Sequence, residues 1–132
     1  MSAVDVALRV VDRINAHDVD GLAALLTTDH RFIDSMGTES SGRATLRVGW
    51  EQYFRMVPDY RVDVERAFSE GRDVVLIGVA RGTYTSDGVL RAENRWTTPA
   101  AWRAQVQDEL VAEWQVYADN EPMRRCIARA AV

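Results

Sequence analysis

Residues 60–84, YRVDVERAFSEGRDVVLIGVARGTY, decide how this chain folds. Tyr60, Val62, Val64 and Phe68 alternate with Arg61, Asp63 and Glu65, the period-two pattern of a strand with one face buried. Ser69-Glu70-Gly71-Arg72 supplies turn residues, so the chain doubles back as a hairpin. Val74 to Tyr84 then reads as a second strand, apolar on both faces at its start.

Towards the C-terminus the same character continues. Ser86-Asp87-Gly88 is a second turn, and Leu90 to Val106 is a long strand. Its even positions carry Ala92, Asn94, Trp96, Thr98, Ala100, Trp102 and Ala104, and its odd positions carry Arg91, Glu93, Arg95 and Arg103. Gln107-Asp108-Glu109 turns into a last strand, Leu110 to Ala118. The tail from Asn120 starts a short helix with Pro122 in its first turn.

Towards the N-terminus the period changes to that of helices. Ser2 caps a helix over 3–16, in which Val4, Leu8, Val11 and Ile14 recur at helical spacing. Asp18 or Asp20 caps a short helix through Leu22, Leu25 and Leu26, closed by Thr27-Thr28-Asp29. A short strand from Arg31 to Met36 and a polar loop, Thr38 to Gly42, lead to a third helix over 43–57. Leu46, Trp50, Tyr53 and Val57 form its stripe, with Phe54 beside it, and Pro58 ends it. Helices segregated from an antiparallel meander mark an α+β fold. Residues 1–132 read as one domain, with three N-terminal helices against a curved antiparallel sheet that encloses a pocket.

Composition narrows the function. All sixteen basic residues are arginine, they form no cluster, and the net charge is -4, which argues against a nucleic-acid surface. The single cysteine, Cys126, cannot form an internal disulfide or a thiolate metal site. No histidine-rich or carboxylate-rich motif points to a metal, and no cofactor is expected. No apolar run reaches the roughly 18 residues of a membrane span. The start, Met1-Ser2-Ala3-Val4-Asp5, does not read as a leader. The expectation is a cytoplasmic protein.

Asp34 is the most informative residue. Strand periodicity puts it on one face with Phe32 and Met36. Apolar neighbours would desolvate its carboxylate, favouring the neutral form and strengthening it as a base toward a carbon-bound proton. The alternative is a strand-end aspartate bonded to loop backbone near Gly37, or paired with an arginine. His30 precedes it on the same face, and Arg81 could reach a pocket or stay outside it. His17 reads as a helix-end cation, and Gly78 and Gly82 as places where the sheet bends.

The chain resembles the nuclear-transport-factor-2-like superfamily and, within it, the SnoaL-like proteins. The resemblance is carried by Asn15-Ala16-His17-Asp18-Val19-Asp20-Gly21-Leu22, Arg31-Phe32-Ile33-Asp34, Gly42-Arg43 and Glu113-Trp114-Gln115-Val116-Tyr117-Ala118-Asp119. It implies a cone-shaped barrel and places Asp34 where ketosteroid isomerase holds its catalytic base. The oxyanion-hole positions of that isomerase hold Val10 and Ala100, which donate nothing, so steroid isomerisation is not expected. Where limonene-epoxide hydrolase needs a second aspartate, this chain has Gln115.

Two readings of the last strand compete. Amphipathicity puts Leu110, Ala112, Trp114 and Val116 on the core, whereas the resemblance turns Glu113, Gln115 and Tyr117 to the cavity. The second is favoured here. It gives a pocket with Asp34, Gln115 and Tyr117 among Trp50, Tyr53, Phe54, Trp96 and Trp102, suited to a small apolar organic molecule. It also leaves Trp114 and Val116 outside, to be covered in a homodimer. The expected function is cofactor-independent acid–base chemistry (isomerisation, cyclisation or dehydration), with Asp34 as base and Tyr53, Tyr117 or Gln115 holding the oxyanion. The alternatives are a non-catalytic small-molecule-binding domain and a dimeric interaction module.

Overall fold

A computed structural model describes residues 1–131. Helix α1 (Ala3–Asn15) opens on a reciprocal capping box. The Ser2 hydroxyl accepts from the Asp5 amide at 3.1 Å, and the Asp5 carboxylate accepts from the Ser2 amide at 3.0 Å. Its buried stripe is Val6, Ala7, Val10, Val11 and Ile14. Val4 and Leu8, expected in that stripe, are only partly buried at its border.

The turn after α1 is built by the residues that carry the resemblance. The Asn15 amide donates to the Val62 carbonyl at 2.9 Å and accepts from the Val62 N–H at 2.8 Å, adding one rung to strand β3 (Arg61–Glu70). His17 places Nε2 at 2.8 Å from the Tyr60 carbonyl and stacks on Phe54, centroids 4.2 Å apart. Asp18 caps the short helix α2 (Val19–Ala23) through the Gly21 N–H at 2.9 Å.

Strand β1 (Leu26–Ile33) begins at Leu26 rather than Arg31 and ends before Asp34. The β-branched pair Thr27-Thr28 extends instead of closing a helix. The expected polar loop contains a short strand, β2 (Glu39–Ser41), paired antiparallel with β1. Gly42, at φ 97°, then turns the chain into α3 (Arg43–Met56). The Arg43 guanidinium holds the Leu26 carbonyl with two bonds of 2.9 and 2.6 Å.

Strands β4 (Asp73–Thr83), β5 (Arg95–Gln107) and β6 (Leu110–Ala118) complete the sheet, in the order β2-β1-β6-β5-β4-β3. A short 3-10 turn, Ala92–Asn94, occupies the expected first part of the long strand. β1 runs parallel to β6 and the other pairs are antiparallel, so the sheet is mixed. Its edges do not meet, so the expected barrel is an open sheet. A bulge between Val64 and Arg66 breaks the β3 register. Gly78 lies there against the Asp63 carbonyl, where a side chain has no room. Helix α4 (Glu121–Ala130) adds a fourth helix after the sheet.

The register corrects the expected facing of β6. Ala104 pairs with Trp114, Trp102 with Val116 and Ala100 with Ala118, so all six share the inner face. Arg103 pairs with Gln115 and Ala101 with Tyr117 on the outer face. Hydrophobicity decides the matter: Trp114 is 2% exposed and Tyr117 50%.

Candidate functional site

α1 packs against β3, β4, β5 and β6, whereas α3 rests mainly on α2, β1 and β2. The span between α3 and the inner face of β5 and β6 is left open as a cavity of about 820 Å³. That volume lies within the roughly 300–1,000 Å³ of small-molecule sites.

One wall is aromatic. Phe32 meets Trp50 edge-on at 5.9 Å between centroids, Trp50 meets Tyr53 at 6.2 Å, Tyr53 meets Tyr60 at 5.0 Å, and Tyr60 meets Trp96 at 6.1 Å. All five line the cavity, with Trp102, Trp114 and Val116 from the sheet. Burial pushes the Tyr53 hydroxyl far above the ordinary phenol range, reinforced by Tyr60, and burial alone does the same to Tyr60. Both are therefore neutral donors at physiological pH. The Tyr53 hydroxyl makes a long contact of 3.8 Å to Met123 Sδ on α4. The indole N–H groups of Trp96 and Trp114 are buried with no acceptor among the described residues.

Polar groups also line the cavity: Ser35, Ser40, Thr45, Gln52 and Asn120, together with Asp34. The Asn120 amide bonds the Ser35 hydroxyl, joining the start of α4 to the turn after β1. Asp34 lies in that turn. Its Oδ1 accepts from the amides of Met36 and Thr38, each at 2.9 Å, and its backbone closes the turn through Thr38 and Gly37. Its Oδ2 takes no hydrogen bond from the described residues. The expected apolar flank is half missing, because Met36 turns into solvent and is 77% exposed. Asp34 is half-buried. The turn aspartate weighed as the alternative is thus present, at the lip of the cavity.

Of the other expected pocket residues, Trp50, Tyr53 and Trp96 lie in the lining. Phe54 does not: it points back to the α1–α2 turn, against His17. Gln115 and Tyr117 are outside, where the Gln115 carbonyl oxygen accepts from Arg103 at 3.3 Å. Glu113, also outside, is a buried carboxylate held by Arg103 at 2.8 Å and Arg31 at 3.4 Å. Arg81 pairs with Asp63 at 3.1 Å, on the same outer face. His30 is buried with Nδ1 2.7 Å from the Val111 carbonyl, and it is not a lining residue. Tyr60 and Trp114 belong to the lining and were not expected there. Tyr60 is in phase with Val62 on the buried side of its strand, and plain amphipathicity points Trp114 inward. Among the described residues no group of three or more His, Cys, Asp or Glu could hold a metal ion. No described helix is long and apolar enough to cross a membrane.

Residues 7–114 match the SnoaL-like domain family. The fold is similar to that of a candidate SnoaL-like polyketide cyclase from Shewanella denitrificans, at TM-score 0.82 and 17% identity over 96% of this chain and 97% of that one. It is also similar to a candidate polyketide cyclase from Streptomyces antibioticus, at TM-score 0.79 and 20% identity over 97% and 99%. An LEH-like epoxide hydrolase from M. tuberculosis aligns at TM-score 0.77 and 16% identity over 98% and 91%. At such identities the likeness establishes the fold alone. No curated protein matches the sequence.

Proposed function

The chain belongs to the SnoaL-like domain family, and from that premise we propose that its cavity binds a small, largely apolar organic molecule and carries out cofactor-independent acid–base chemistry on it. Isomerisation, cyclisation and dehydration are the steps in view, and candidate polyketide cyclases share the fold. The observation that carries the reading is a lone carboxylate, with one oxygen free, at the lip of an aromatic cavity whose two buried phenols stay neutral. Asp34 Oδ2 takes the carbon-bound proton. Oδ1 is fixed by two amides, so the acceptor is oriented before substrate arrives. Tyr53 gives its hydroxyl proton to a hydrogen bond with the developing oxyanion, exchanging a weak sulfur contact for a strong one. Gln115 and Tyr117 take no part.

A second reading, non-catalytic binding in the same cavity, is favoured by one observation: the hydrogen bonds of Asp34 are those of an ordinary aspartate turn. Exchange of the α-protons of 1-indanone in D2O, followed by NMR, separates the two. Catalysis predicts exchange above buffer that falls by about 10²–10⁴ in Asp34→Asn. Binding of indanone with no accelerated exchange would leave the non-catalytic reading.

A homodimer is part of the proposal, on a different motive from Trp114 and Val116. The outer sheet face carries Phe68, Val75, Ile77, Val79, Ala101 and Tyr117 as partly exposed apolar groups. Sedimentation showing a single monomeric species at micromolar concentration would overturn this part. The reading places the protein in the cytoplasm, where the free thiol of Cys126 stays reduced.

A further inference from the structure

Charge in the cavity is one-sided. Among the described residues Asp34 is the only charged side chain in the lining, although the chain carries sixteen arginines. The arginines next to the lining on the sheet, Arg81, Arg95 and Arg103, lie on the outer face, and those near it on the helix side are held by other groups. Arg31 is held by Glu39 and Glu113, Arg43 by the Leu26 carbonyl, and Arg47 by Asp20 at 2.6 Å and Glu51 at 3.6 Å. On α4, Arg124 and Arg125 both pair with Glu121. An organic acid entering here would lose its hydration, meet no cation and lie beside a carboxylate. A protonated amine would meet the opposite conditions: the free Oδ2 of Asp34 at the lip and the aromatic wall behind it. Aromatic faces attract cations, tryptophan most strongly.

We propose that the cavity takes an amine-bearing ligand, an apolar ring system whose ammonium group pairs with Asp34 Oδ2 and whose body lies on the Trp50–Tyr53–Tyr60–Trp96 wall. This rests on the cavity being the ligand site, and it adds the chemical class. An ammonium on Oδ2 occupies the oxygen that the acid–base reading uses and lowers its proton affinity, so an amine ligand fits the non-catalytic reading of the same cavity.

Three isosteric probes test it by calorimetry: 1-naphthylmethylamine as the cation, 1-naphthalenemethanol as the neutral form and 1-naphthoate as the anion. The amine is expected to bind about tenfold tighter than the alcohol, and the carboxylate most weakly. In Asp34→Asn the amine and alcohol should bind alike, with the alcohol unchanged, because Asn keeps an oxygen for the Met36 and Thr38 amides. Raising salt should narrow the gap in the native protein, and Trp50→Leu should weaken the amine more than the alcohol. Naphthoate binding as tightly as the amine, or an amine advantage that survives Asp34→Asn, would overturn the proposal while leaving the cavity reading intact. Failure of all three probes to bind would overturn both.

Discussion

The sheet is one surface with two differently filled halves. Under α1 the filling is aliphatic and complete: Val6, Val10 and Ile14 meet Val62, Val74 and Leu76, each nearly inaccessible to solvent. Under α3 the side chains are large, flat and sparse, and helix and sheet stand apart around a cavity. Small branched residues interdigitate, whereas rings stacked edge to face form a wall and leave space in front of it. The difference teaches that stability and binding are separable here: one half holds the fold and the other is free to hold a ligand.

Truncation should show this most strongly. Ile14→Ala or Leu76→Ala should lower unfolding free energy by about 2–5 kcal/mol in urea melts. Trp50→Leu, in the partly open half, should cost less than either. A Trp50→Leu protein less stable than Ile14→Ala would break the comparison. Next comes the joint between the halves. Asn15→Leu leaves the Val62 N–H and carbonyl without their partners, and a loss of about 1–3 kcal/mol is expected. Naphthylmethylamine affinity should be unchanged, because Asn15 is not in the lining.

These expectations reflect how much the sequence revealed. The hairpins, the helix caps and the inward Trp96–Trp102 face were legible, because period-two and helical spacing report burial directly. Strand β2 was not: Glu39, Ser40 and Ser41 are exposed edge residues with no apolar signature. The facing of β6 was legible from amphipathicity, but the family resemblance pointed the other way. Glu113 is nonetheless buried, on the outer face, where Arg103 and Arg31 neutralise it. Asp34 is expected inside the cavity but lines it from a turn, half-buried, and that turn depends on backbone closure through Gly37 and Thr38, which no side-chain pattern encodes.

Smaller effects sharpen the comparison at the lip. Asp34→Ala removes the acceptor for two amides and should cost about 1 kcal/mol, whereas Asp34→Asn should stay within about 0.5 kcal/mol of native. Equal losses would mean that the charge, and not the turn geometry, stabilises this segment. The smallest effect concerns His30. Burial holds its value below the ordinary 6.5, opposed by the Val111 carbonyl and by Glu113 and Asp29. The unfolded chain therefore takes up the proton first as pH falls. Stability from this residue is present above pH 6.5 and is lost progressively below it. Melting temperatures from pH 7.5 to 5.5 should fall less steeply in His30→Gln, and an unchanged slope would remove His30 from the account.

The most direct test of the two-halves account is a methyl-detected NMR experiment with 1-naphthalenemethanol. Intermolecular NOEs are predicted to Leu46 and Val116, which line the cavity, and none to Val10 or Ile14 under α1. NOEs to Val10 and Ile14, or to Val75 and Ile77 on the outer face in place of Leu46 and Val116, would contradict it.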